Sequence, residues 1–362
     1  MKSVKEIRVS LLLKKISSAA GISGYEEEVR QAIGEEFGRW ADELRADRLG
    51  NLIALKRGEG NAPRRSIMLA AHMDEIGLIV TKIEEGFLHF GTVGGFDQRV
   101  LPGQEVVVHG RRALPGVIGM RPPHLLPPEE REKVIPLEDL RIDLGLPNEE
   151  VAKLVRAGDL ITMRREFLEL GGELASGQAF DDRAGVVSLA VCLEHLSGLR
   201  HAWDVYAVAT SQEEVGLRGA MVSAYGLVPD LAIAVDVGFA HSPGLSEAET
   251  ISLKKGPAIA LGPNFHPALH EALVKTAQKL EISYQIEAIP GRSGTDAWAI
   301  QVAREGIPTA LLSIPLRYMH TAVETVSLKD IERAGRLIAH FIARLDEEFT
   351  AKIAEGAQSR NK

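Results

Sequence analysis

The chain reads as an α/β protein with a mainly parallel central sheet flanked by helices, interrupted by a small all-β domain. Three observations predict this. Apolar strand-like runs alternate with helix-like periodic segments toward both ends of the chain, the pattern of a mainly parallel sheet covered by helices. Eight of the seventeen prolines fall between Pro102 and Pro147, so composition changes in the middle. Between about Glu75 and Arg165, short runs such as EVVVHG and PGVIGM are separated by Gly and Pro, which reads as an all-β module. The α/β pattern resumes near Ala175, so the module is inserted rather than appended. Residues 1–74 and 170–355 are thus expected to form one discontinuous domain and residues 75–169 the β domain. The 362 residues suit two domains at roughly 100–200 residues each.

Composition narrows the function. Hydrophobic residues make up 45% and charged residues 25%, which excludes global disorder, collagen and coiled coil. The net charge of −8, without a long Lys/Arg run, argues against nucleic acid as a partner. Cys192 is the single cysteine, so there is no disulfide within the chain and no thiolate metal site. Its setting, GVVSLAVCL, makes it a small buried hydrophobe.

At the N-terminus, VSLLL is cut short by Lys14 and Lys15, below the roughly 7–15 apolar residues of a secretory signal. No run approaches the roughly 18 apolar residues of a membrane span. A cytoplasmic protein is expected. The first helix is signalled by a capping box at Ser23–Glu26 followed by EEVRQAIGEEF. The last is signalled by Ser327 and by Leu328, Ile331, Leu337, Phe341 and Leu345 on one face. The polar tail AEGAQSRNK is expected to fray.

Four predicted strands end in chemistry. RSIMLAAHMD ends in His72 and Asp74, WDVYAVATSQEE in Glu213 and Glu214, and DLAIAVDV in Asp236, while TALLSIPLRYMH runs out into His320. A fifth segment, SGQAFDDRAG, sets Asp181 and Asp182 ahead of an apolar helix. In open α/β sheets the ligand crevice lies at the carboxyl ends of the strands, so these side chains are expected to converge. Imidazoles with carboxylates make a ligand set for zinc or another first-row divalent ion. His72, His320, Asp181, Glu214 and Asp236 together carry three negative charges. Two divalent ions and one hydroxide balance them, and a two-metal site with ions about 3.5–4 Å apart needs this inventory. Taken singly, each histidine could be structural, as His89, His109, His195 and His340 are expected to be, and each acidic pair could be surface charge or a helix N-terminal residue. Their joint occurrence after buried apolar runs favours a metal site, because charges there need counter-charge.

These motifs resemble the glutamyl-aminopeptidase-like metallopeptidases, including the tetrahedral (TET) aminopeptidases. The likeness runs through GISGYEEEVR, DRLGNLIA, AHMDEIG, AFDDRAG, SQEEVGLRGA, AVDVG, SGTDA and RYMHTAVETV, in this order. It implies a zinc-peptidase-like fold and a hydrolase that removes N-terminal residues from short peptides. It further implies two divalent ions per subunit, zinc first, with cobalt or manganese as alternatives. By the resemblance, His72 and Asp236 serve one ion, Glu214 and His320 the other, and Asp181 bridges them ahead of a cis peptide to Asp182. Asp74 orients His72, and Glu213 is the general base that takes a proton from the bridging water and returns it to the leaving amine. The β domain is implied to build dimers and, in many members, tetrahedral dodecamers that admit only short or unfolded peptides. Trp298 departs from the family pattern after SGTDA; it either packs on a neighbour or, with Arg292, lines the pocket. His124, in GMRPPHLLPP, could approach the site.

Three alternatives stand beside this reading. An endoglucanase would use two carboxylates but needs neither two histidines nor a bridging Asp, and the 5% aromatic content offers few sugar platforms. A deacylase or carboxypeptidase of the same dinuclear-zinc clan usually shows Asp-x-Lys where this chain has Asp181, Asp182 and Arg183. A non-catalytic metal-binding protein would be expected to lack Glu213 or one ligand.

Overall fold

The computed structural model describes residues 4–346 and Phe349. The AEGAQSRNK tail lies outside the described residues. Within them, eleven strands form one sheet, and six further strands close into a barrel.

The sheet is mixed rather than mainly parallel. Its core is the parallel set Asp204–Thr210, Ser66–His72, Leu231–Phe239 and Thr309–Arg317. These strands are buried almost throughout, as strands covered on both faces must be. Alternate residues serve opposite faces: Ile67, Leu69 and Ala71 join the larger core, while Met68 and Ala70 join a second cluster. Flanking strands pair antiparallel, including Leu52–Lys56, Leu174–Gly177 and Glu324–Ser327. Register aligns the strand ends: Thr210 pairs with His72, and Ala70 pairs with Ala234, each two residues ahead of its strand's ligand, His72 and Asp236.

Helix Phe180–Leu196 is buried on nearly every side, and Cys192 is buried within it, where burial pushes the thiol up. Small residues let it pack tightly against helix Leu328–Ile342: a Cβ on Gly335 would stand 2.4 Å from the Ser188 carbonyl oxygen. Gly335→Ala is therefore expected to destabilise the fold by about 1–3 kcal/mol, as overpacking does. Chemical denaturation would measure this, and an unchanged midpoint would contradict the packing account.

Two helix expectations change. A helix at Val4–Ser17 precedes the expected first one. Helix Glu27–Phe37 follows Ser23–Glu26, but no capping box closes, because the Ser23 hydroxyl donates to Asp74 and Glu26 accepts from the Gly24 amide. At the last helix, Ser327 is extended but makes no side-chain cap, and Leu345 lies past its end while still packing on the core.

The barrel comprises Gly77–Glu84, Phe87–Val93, Arg141–Asp143, Ala113–Gly119, Glu105–His109 and Leu160–Met163, in that spatial order. It has its own core around Leu78, Val106, Ile118 and Ile161. Alternating burial along Ala113–Gly119 matches a strand with one face inward. Among the described residues, no helix is long and apolar enough to cross a membrane.

Candidate metal centre

The carboxyl ends of the parallel strands bring the predicted ligands together. His72 is the last residue of its strand and is buried. Its Nδ1–H donates to the Asp74 carbonyl at 3.1 Å, which directs Nε2 into the site, 3.0 Å from Asp181 Oδ1. The other oxygen of Asp181 stands 3.4 Å from His320 Nε2, so this one carboxylate faces both imidazoles. His320 Nε2 is also 3.3 Å from Glu214 Oε1. The Asp181–Asp182 peptide is cis. Among the described residues three ligand-atom groupings, each within 4.8 Å, result: His72, Asp181 and Asp236; Asp181, Glu214 and His320; and His72, Glu213 and Glu214.

Asp74 does more than face His72. Its carboxylate lies 3.6 Å from His72 Nδ1 and accepts the Glu213 amide at 3.0 Å, the Glu214 amide at 3.3 Å and the Ser23 hydroxyl at 2.6 Å. It thereby aims both glutamates. Glu213 is buried, with Oε2 4.0 Å from His72 Nε2. Asn51 of the DRLGNLIA motif fixes the same loop from below, accepting the Ser211 amide at 2.9 Å and donating to the Gly219 carbonyl at 3.0 Å.

Electrostatics follow from this crowding. Burial, then repulsion from Asp236, Asp296 and Glu214, pushes Glu213 up to about 10 despite the nearby His72. Burial and Asp181 likewise raise Asp236, and burial raises Glu214. Burial opposes charge on Asp181, but hydrogen bonds to His320 and His72 prevail and hold it low. Those to Asp181 and Glu214 push His320 up to about 11. Burial opposes charge on His72 as well, yet its carboxylate neighbours raise it. So dense a buried carboxylate set calls for positive charge, and its nitrogen and oxygen donors fit zinc or a similar divalent ion.

Sequence reasoning assigned no structural role to four residues. Glu324 is buried and binds main-chain amides on the Asp181 and His320 loops; nothing in the spelling RYMHTAVETV marks it. Arg183 is fully buried, binding Glu75 at 2.9 Å and the Met73, Ile16 and Ala19 carbonyls. Phe96 and Met163, from the barrel, wall the cleft beside His320 and Glu214. Other expectations fall away from the ligands. Trp298 is partly buried against the second core cluster, with the Arg292 guanidinium stacked 5.5 Å from its ring centroid. His124 is exposed on the short turn Pro123–Leu125 and belongs to none of the three ligand groupings. His89 meets Glu84, and His109 meets Thr162.

A mixed α/β sheet that gathers two imidazole–carboxylate triads around Asp181 defines a protein able to hold divalent metal ions beside a buried glutamate. Residues 50–337 match the M42 glutamyl aminopeptidase family, and the chain belongs to that family. It is accordingly an aminopeptidase, a peptide hydrolase. Over 342 residues it is 36% identical to the lysyl aminopeptidase of Pyrococcus furiosus, covering 92% of this chain and 96% of the relative. A solved TET aminopeptidase from a marine sediment archaeon of the Thaumarchaeota superposes with a TM-score of 0.91 at 37% identity, covering 96% of this chain and 99% of the other. The Pyrococcus horikoshii TET1 peptidase, described as able to assemble into a tetrahedron or a large octahedral shell, gives a TM-score of 0.81 at 38% identity. That match covers 93% of this chain and 100% of the peptidase.

Proposed function

We propose that this aminopeptidase works with two divalent ions, zinc first and cobalt or manganese as alternatives, on the N-terminal residue of short peptides. The observation that carries the reading is the pair of triads sharing Asp181: His72 and Asp236 on one side, Glu214 and His320 on the other. When bound, such ions polarise the scissile carbonyl and make water acidic enough to attack near neutral pH. The protein's own part begins with Glu213. Burial holds its proton tightly without counter-charge, and with the triads occupied a Glu213 carboxylate would take the proton of the attacking water and hand it to the departing amine. Asp74 holds Glu213 and Glu214 in place through their amides.

The barrel is proposed as the surface through which subunits dimerise, with a tetrahedral dodecamer as the larger assembly, in a cytoplasmic setting. The low aromatic content and the two imidazoles speak against glycoside hydrolysis, and a complete ligand set with Glu213 speaks against a non-catalytic role.

The test uses protein stripped with a chelator, then resupplied with zinc or cobalt, on aminoacyl anilides and their N-acetylated counterparts. Metal-dependent cleavage of the free-amine set alone is expected. Equal cleavage of blocked substrates would return weight to a deacylase, and silence on all of them would favour a non-catalytic protein.

A further inference from the structure

Of the three loops that carry ligands for the Glu214/His320 side, those of Asp181 and His320 are fastened to one buried carboxylate, while the Glu214 amide is held by Asp74. Glu324 opens strand Glu324–Ser327 and pairs with Gly177 across the sheet, which sets it beneath the turn leading to Asp181. One of its oxygens, Oε2, accepts the Phe180 amide at 2.7 Å and the Asp181 amide at 3.1 Å. The other, Oε1, accepts the His320 amide at 2.9 Å. Each loop passes through the left-handed region at a residue other than glycine, with φ of 56° at Ala179 and 60° at His320. Such residues need support from their surroundings.

Burial disfavours charge on Glu324, and so does nearby Asp181. A second carboxylate placed against a ligand carboxylate is costly unless it serves geometry. The two ligand triads are not held alike. His72 sits at a strand end, braced by the Asp74 carbonyl, and Asp236 lies within its strand. His320 lies on a loop and is 35% exposed at the side chain, and Glu324 binds its amide.

We infer that Glu324 is a positioning residue that couples the two halves of the centre, fixing His320 relative to Asp181 and so setting affinity at the Glu214/His320 side. The inference rests on the dinuclear reading above and adds an unequal dependence of the two sites on one side chain.

The test compares Glu324→Ala and Glu324→Gln with the wild-type chain by zinc titration calorimetry and metal content after dialysis, with thermal unfolding as the check on folding. Wild type is expected to hold two ions. In Glu324→Ala one ion is expected to bind about 10–100-fold more weakly, the size of effect usual for partners that orient metal ligands, while the other is retained. Adding Glu324→Ala to His320→Ala should cost little more at that site, because without the His320 imidazole Glu324 has nothing left there to position. Glu324→Gln can serve one loop but not both and should fall between. Activity of Glu324→Ala should return at raised zinc, which repair of a merely loosened fold would not produce. Should Glu324→Ala fail to fold, Glu324→Gln alone decides by the same readouts. Folded variants that hold both ions as tightly as wild type, or lose both equally, would overturn the inference and leave the dinuclear reading standing. A wild-type chain holding fewer than two ions would overturn both.

Discussion

Glu213→Gln is expected to lower kcat on a free-amine peptide by about 10²–10⁴-fold, the range a positioned general acid–base contributes. The amide is nearly isosteric, and the Glu213 main chain stays bound to Asp74, so the loop should keep its place. It loses the ability to take and return a proton. Metal content and KM are expected to change little, since Glu213, although it also stands within ligand distance of His72 and Glu214, lies outside the two triads that share Asp181. Steady-state kinetics with metal analysis on the same preparation would check this. Activity near the wild-type level, or a lost ion, would remove Glu213 from the role of base.

Asp181→Asn is expected to be more damaging to metal binding. One oxygen of Asp181 faces His72 and the other faces His320, so the amide presents an N–H donor to one of the two triads whichever way it turns. It also removes one of the negative charges that balance the ions. Loss of affinity should exceed the roughly 100-fold that removing an orienting partner costs. Both ions should weaken together, in contrast to the Glu324 variants, and raised zinc should restore activity poorly. Binding of one ion at wild-type strength would show that Asp181 is not shared.

The side chains gathered at the strand ends were legible because charges directly after runs such as AVAT and AIAV stand out against buried β-structure. Central strands were legible for the same reason, since strands buried on both faces spell continuous apolar runs. Their flanking partners were not. Glu43–Ala46 and Leu168–Leu170 are exposed along their whole length, carry no such run, and pair antiparallel at the sheet margins, which is why a mainly parallel sheet was expected where a mixed one forms. The helix at Val4–Ser17 shows Val9, Leu12, Leu13 and Ile16 buried at helical spacing, a pattern hidden among further apolar residues such as Ile7 and Leu11, which are exposed. The capping box does not form because the Ser23 hydroxyl turns to donate to Asp74, 51 residues away in sequence, rather than accepting a local backbone N–H. Glu324 had no sequence signature at all. Its meaning comes from three amides on two distant loops, which only the folded chain assembles.

The most direct measurement is an anomalous difference map, recorded at the zinc absorption edge, from crystals of the zinc-supplied protein. Two peaks about 3.5–4 Å apart are expected, one among His72, Asp181 and Asp236 and the other among Asp181, Glu214 and His320. A single peak in an active preparation, or peaks away from Asp181, would contradict the dinuclear centre.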